Sequence, residues 1–297
     1  MSHYAPILAT TDLSAVSRHA AGRAALLAHE TSAPLILLHV LPGEALEALR
    51  QWLGADKSPV PQLEADARRQ LEQIAADLKA TRHVDVRPLL ASGTVPEEVS
   101  RAAEALDAGL LVVGARGAGF LRRLMLGTTS ARLIRRTTRP ILVVRQIAHE
   151  PYRRALVAVD FSPSSAPALA AARRVAPHAQ LVLLAAFQVP FEEKLQFAGV
   201  DAATIAHYRH EARAETARRL AALATAAGLK PGSWQPCVVE GDPSLRIVEQ
   251  EQELDCDLVV LGKHGKGLGE ELLLGSVTKH VLAEGNADAL ISTATTD

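Results

Sequence analysis

Two segments of the chain carry glycines and hydroxyls at spacings that suit an anion. They read VVGARGAGFLRRLMLGTTSARLI and VVLGKHGKGLGEELLLGSVTKHVL. Both fit Gly-x2-Gly-x9-Gly-[Ser/Thr] with a further hydroxyl two residues on. The first supplies Gly114, Gly117, Gly127, Thr128 and Ser130, and the second Gly262, Gly265, Gly275, Ser276 and Thr278. Glycine lacks a Cβ and tolerates positive φ, so a glycine-rich backbone can close on a phosphate. The last glycine and its hydroxyls open a helix whose first N–H groups are unpaired and face outward. The same residues also suit a tight strand-to-helix connection capped by Ser or Thr. Both readings stand at this point.

A second pair is Asp12 in ILATTDLS and Asp160 in LVAVDFSP, each behind a short apolar run. A carboxylate there can accept from a ribose hydroxyl or an adenine amino group, or it can cap the next helix. Other phosphate chemistries find no support. No Gly-x4-Gly-Lys-[Ser/Thr] follows a strand, and the first strands do not lead into Gly-x-Gly-x-x-Gly. His207, His210 and Glu211 share a helical face, but zinc needs three or four ligands and no others are visible, so no metal site is expected. No nucleophile elbow, Ser-His-Asp spacing or paired carboxylates appear, so no catalytic residue is assigned. Cys237 and Cys256 read as buried, inert thiols, and His39 as a packed strand-end residue.

The elements that must hold these residues occur twice. Asp12 and Asp160 are 148 apart, as are Gly93 and Gly241, the three glycines of each segment, and Ser130 and Thr278. An unchanged register through these positions is a duplication. It predicts domains at residues 1–146 and 152–297, with QIAHEPYRR as linker. In the first half the strand candidates are Ile7–Thr10, Leu35–Val40, Val84–Leu90, Leu110–Gly114 and Ile141–Val144, which read as apolar or β-branched runs of the kind expected for strands buried on both faces. Leu63, Ala67, Leu71, Ile74 and Leu78 give a helical stripe, as do Val95, Val99, Ala102 and Leu106. The second half repeats the order with Ala155–Val159, Leu181–Ala186, Gln235–Val239, Leu258–Gly262 and Ala289–Ser292. Strands alternating with helices predict an α/β fold of two doubly wound parallel-sheet domains, with ligands beyond the carboxyl ends of the strands.

Strand-Asp, a Gly-x-Pro-like turn and Gly-x2-Gly-x9-Gly-[Ser/Thr], in this order, resemble the universal stress protein family. The resemblance covers nearly the whole chain, as a tandem. It implies five-stranded sheets of order 3-2-1-4-5, the adenine nucleotide alpha hydrolase-like fold, and ATP, ADP or AMP as ligand, with Mg²⁺ as an accompanying ion. It places Asp12 and Asp160 at the adenine or ribose, and the backbone of Val40, taken as the end of the second strand, at the adenine. Gly114, Arg116, Gly117, Gly127, Thr128 and Ser130 would surround ribose and phosphates. The second copy offers Gly262, His264, Gly265, Gly275, Ser276 and Thr278, with Gln188 where Val40 stands. The resemblance implies a stress-response regulator. The rival readings are a scaffold for proteins or another small ligand with vestigial phosphate loops, and a slow ATPase.

Composition agrees with a binding protein of the cell interior. Net charge is −1 over 297 residues, which disfavours a dedicated nucleic-acid binder despite Arg132, Arg135 and Arg136. No apolar run is long enough for a membrane span, no secretory signal is visible, and two cysteines make no disulfide scaffold, so a cytoplasmic location is expected. The halves differ in sign. Residues 1–148 hold 18 basic and 14 acidic side chains, leaving 14 and 19 for the rest, or +4 against −5. Arg116, Arg122 and Arg123 lie in the first glycine segment, whereas Glu270 and Glu271 lie in the second beside Lys263 and Lys266, so nucleotide affinity is expected to differ between halves. The last strands of each half, Ile141–Val144 and Ala289–Ser292, are expected edges that need covering. Similar family members pair these edges between subunits. The tandem is expected to pair them within the chain, as an intramolecular pseudo-dimer, with a homodimer as the other arrangement.

Overall fold

The structure is a computed structural model that describes residues 5–15, 17–54, 58–115, 128–189, 197–263 and 274–293. Two compact units divide the chain: Met1–Pro151 with Asp288–Ile291, and Tyr152–Ala287 with Ser292–Asp297.

In the first unit the order is β1 (Ile7–Thr10), α1 (Ser17–Thr31), β2 (Leu35–Pro42), α2 (Gly43–Leu53), α3 (Val60–Arg82), β3 (Val86–Gly93), α4 (Val95–Ala105), β4 (Leu110–Gly114), α5 (Thr128–Arg136) and β5 (Ile141–Val144). The five strands lie parallel in the order β3-β2-β1-β4-β5. Helices cover both faces, so the central strands are mostly apolar, and Leu8, Leu37, Leu111 and Leu142 have no exposed surface. The last strand of the chain, β10 (Asp288–Ser292), adds to β5 in antiparallel register, with Leu290 opposite Leu142. The side of β5 expected to be an edge is thereby covered.

The second unit repeats the pattern with β6 (Arg154–Ala158), α6 (Ser165–Val175), β7 (Gln180–Phe187), α7 (Ala202–Ala226), β8 (Trp234–Glu240), α8 (Pro243–Glu253), β9 (Leu258–Gly262) and α9 (Ser276–Glu284). Its strands run parallel in the order β8-β7-β6-β9. Beyond β9 the Lys263 N–H donates to the Ser292 carbonyl at 2.8 Å.

Several sequence expectations shift. The run Val84–Leu90 reads as a strand buried on both faces, yet β3 is an outer strand in which three of eight residues are exposed and none is buried. Pro88 and Pro236 sit at equivalent positions of β3 and β8, where a missing N–H is harmless because no further strand pairs there. The α3 stripe buries Ala67, Leu71, Ile74 and Ala75, whereas Leu63 remains 40% exposed. A 3.6-residue turn carries the ends of a long three-four pattern off the contact face. Helix α2 has no counterpart among the predicted elements. It buries only Leu46 and leaves Trp52 exposed, too narrow an apolar stripe to be read from sequence.

Candidate functional site

The carboxyl ends of β1 and β6 are built alike. Asp12 Oδ1 accepts the Ser14 N–H at 3.0 Å, and Asp160 Oδ1 accepts the Ser162 N–H at 2.9 Å. Each bond spans one residue in the left-handed region, Leu13 at φ 67° and Phe161 at φ 61°. An aspartate that accepts from the amide two residues on forms an Asx turn, which offsets the strain of a non-glycine residue there. Asp160 Oδ1 also accepts from Ser165 Oγ at 3.0 Å, at the first residue of α6. In the first unit Thr11 Oγ1 and Ser17 Oγ lie 2.8 Å apart, and His39 Nδ1 lies 2.8 Å from the Thr11 carbonyl. A carbonyl only accepts, so His39 carries its proton on Nδ1. His39 packs, as its place in the strand suggests.

The ends of β4 and β9 lead to the glycine segments. Arg116, Gly117 and Gly127 in the first half, and His264 and Gly265 in the second, lie outside the described residues. So do Arg122, Arg123, Lys266, Glu270 and Glu271. Gly114 closes β4 and Thr128 opens α5. Ser130 is buried and its hydroxyl donates to the Gly114 carbonyl at 2.8 Å. Thr278 repeats this contact with Gly262 at 3.2 Å. The two hydroxyls were expected to face an anion. Their protons are committed to the preceding strand, so they fix the helix start, while its amides remain for a ligand.

Val40 does not end its strand. β2 continues to Pro42 because β3 keeps pairing through Gly93, and Val40 sits opposite Ala91, buried. Gln188 is placed differently, directly after the last residue of β7. The turns at Gly93 (φ 152°) and Gly241 (φ 132°) need glycine, since a Cβ would come within 2.7 Å of Glu98 and Arg246 respectively. After Gly241, Asp242 caps α8 by accepting the Ser244 and Leu245 N–H groups.

In the second unit these ends enclose a cavity of about 520 Å³. Asp160, Gly262, Gly275, Ser276 and Thr278 all line it, and so does Gln188. Its apolar wall includes Leu184, Phe187, Ile247 and Leu261. Among the described residues, a Cβ placed on Gly275 would meet nothing closer than 3.8 Å, so the bare glycine leaves room there. Sequence reasoning missed Phe161, Thr216 and Arg219 in the lining. The repeat in α7 held the signal: Thr216, Leu220 and Ala224 are four apart and face inward, and Arg219 lies three beyond Thr216.

Little else in the described residues is equipped for chemistry. No cluster of three His, Cys, Asp or Glu side chains is placed to hold a metal ion among them. Burial pushes the Cys256 thiol up to about 12, and burial also raises Cys237, whose Sγ donates to Gln250 Oε1 at 3.2 Å. Cys237 is only half-buried, more open than expected. Arg136 pairs with Glu97 at 3.5 Å on an exposed surface. No helix among the described residues is long and apolar enough to cross a membrane.

Known proteins match this architecture over its full length. The model of the universal stress protein family matches twice, at residues 3–145 and 151–292. A universal stress protein of Mycolicibacterium smegmatis is 28% identical over 305 residues, covering 96% of each chain. One of Mycobacterium tuberculosis is 30% identical over 227 residues, covering 74% of this chain and 72% of its own. Among solved structures, a universal stress protein from Archaeoglobus fulgidus superposes with a TM-score of 0.69 at 17% identity, over 97% of this chain and 98% of that one. That likeness shows the fold. The duplicated register, the repeated sheet order and the paired family matches agree: the chain belongs to the universal stress protein family and carries two copies of its domain in tandem.

Proposed function

We propose that the protein binds an adenine nucleotide at the carboxyl ends of its strands and serves as a cytoplasmic stress-response regulator. The observation that supports this reading most is the cavity of about 520 Å³ in the second unit, a size usual for small-ligand sites, set where a doubly wound sheet takes ligands. One side holds the start of α9 with its unpaired amides beside Gly275, the place for phosphates. The rest combines the apolar wall with Asp160, Gln188, Thr216 and Arg219, which suits a base and ribose. In the first unit Asp12, Gly114 and Ser130 repeat the local geometry, so a second site is assigned there with Val40, Arg116, Gly117, Gly127 and Thr128. In the second half His264 and Gly265 join the phosphate side. ATP, ADP or AMP fit this donor set. Mg²⁺ would accompany the phosphates of ATP or ADP.

The test is direct. Protein purified without added nucleotide is denatured, and the released small molecules are identified by mass spectrometry. The refolded or stripped protein is then titrated with ATP and AMP by calorimetry. Co-purified adenine nucleotide and saturable heat support the reading. At a hundredfold excess over Kd, bound ligand also adds about 2.7 kcal/mol of stability, visible as a rise in Tm. Absence of released nucleotide, heat and thermal shift together rejects it.

A further inference from the structure

The two copies differ at one end of the site. At matching positions the first half carries the apolar Leu13 and the second the aromatic Phe161, and Arg219 reaches the same cavity from α7. The Arg219 guanidinium carbon lies 4.1 Å above the centre of the Phe161 ring, and both residues line the cavity. Among the described residues no carboxylate pairs with Arg219, and the aromatic ring is what its guanidinium rests against. A guanidinium resting on a ring keeps its opposite face and its in-plane N–H groups available.

Topology sets which part of a ligand meets it. β6 lies between β7 and β9. Helix α7 joins β7 to β8 and packs on both, whereas α9 follows β9 and packs on α8. Arg219 therefore stands on the β7 flank, and the amides of α9 stand on the β9 flank. With phosphates drawn to the α9 amides, the opposite end of a nucleotide, its base, falls to Arg219. This step rests on the nucleotide reading above.

We propose that Arg219, backed by Phe161, is the base-contacting residue of the second-half cavity, stacking its planar guanidinium on a purine. It is a specificity residue that the first half does not have. Stacking explains why an arginine is seated on an aromatic ring, away from the helix start that serves phosphates. A purine offers a larger π-face than a pyrimidine, so the contact favours AMP over CMP.

The full-length protein is titrated calorimetrically with ATP, AMP, CMP and inorganic tripolyphosphate, which has no base. Arg219→Met is expected to weaken ATP and AMP by roughly tenfold at one site, to narrow the preference for AMP over CMP, and to leave tripolyphosphate unchanged. Arg219→Lys, which keeps the charge and loses the plane, should resemble Arg219→Met. Phe161→Leu, which copies Leu13, should lose part of the same effect. The weakened site must be the one that Gly275→Val removes. Arg219 is exposed on its helix, so these variants should match the wild type in circular dichroism and Tm. Equal nucleotide affinity in Arg219→Met overturns the proposal, as does an equal loss for tripolyphosphate or full recovery in Arg219→Lys. Wild-type protein that takes up no nucleotide at all overturns the nucleotide reading itself, a different and distinguishable result.

Discussion

Thr278 donates its hydroxyl to the carbonyl of Gly262 at 3.2 Å, sixteen residues back, as Ser130 does to Gly114 at 2.8 Å. Each bond ties the first turn of a helix to the end of the strand before it. Both hydroxyl-bearing residues are buried, while the glycines whose carbonyls accept from them are half-buried.

Thr278→Val should cost about 0.5–1.5 kcal/mol, because the half-buried Gly262 carbonyl loses a hydroxyl donor that water replaces only in part. Thr278→Ser, which keeps the hydroxyl, should cost much less. Urea denaturation of the two variants separates the effects. Nucleotide affinity is expected to fall only through loosening of the α9 start.

Gly275→Ala should leave the ligand-free protein as stable as the wild type, since φ is −57° and the added Cβ meets only atoms at ordinary contact distance. The methyl intrudes where a ligand would sit, so nucleotide affinity should fall by about tenfold or more. Gly241→Ala is the contrasting case. Its φ of 132° and its 2.7 Å approach to Arg246 predict a destabilised protein, by more than about 1 kcal/mol. Thermal unfolding and calorimetry on both variants check the pair.

Asp288→Asn should be strongly destabilising. Asp288 is fully buried, its Oδ2 lies 3.3 Å from Arg23 Nε, and its Oδ1 accepts the Arg145 and Gln146 N–H groups. Removing its charge takes the counter-charge from the buried guanidinium of Arg23, whose Nη1 still donates to the Glu150 carbonyl at 2.8 Å, at a cost of about 3 kcal/mol. The double variant Arg23→Met with Asp288→Asn removes both charges and should lose less than Asp288→Asn alone. The urea midpoints of the full cycle measure this coupling.

Thiol chemistry gives a prediction in pH. Burial raises Cys256 from 9.0 to about 12, so the folded state keeps a proton that the unfolded chain gives up. The stability from this group is complete below about pH 9 and falls as pH climbs toward 12. Iodoacetamide needs the thiolate, so at pH 8 the folded protein should react at Cys256 at least ~10-fold more slowly than protein in urea. Peptide mapping after timed quenching measures the rates.

The duplication and the strand ends were open to reading because they are properties of local sequence. Asp12 and Asp160, or Gly262 and Gly275, hold one register, and short apolar runs precede them. Features set by distant partners were not. Asp288 reads as an ordinary loop acid until Arg23, 265 positions away, is brought to it by the fold. The outer place of β3 was hidden because Leu89 and Leu90 look the same on either side of a sheet, although Pro88 carried a hint. The hydroxyls of Ser130 and Thr278 were correctly set beside the glycine segments, but residue type cannot tell a donor to a ligand from a donor to a carbonyl. Arg219 sits on a helix crowded with arginines, and only the ring beneath it sets it apart.

The strand that finishes the first unit emerges from the ribosome only after the second half has been made. β5 is made by residue 144, yet its outer neighbour, Asp288–Ile291, comes only after the whole second half. At usual rates of synthesis that is a wait of roughly 7–30 s, during which the outer hydrogen-bonding groups of β5 lack their final partner. A chain released early, before residue 288, would carry a finished-looking first sheet with one raw margin. Nascent chains stalled there should seek chaperones more avidly than chains stalled after residue 293.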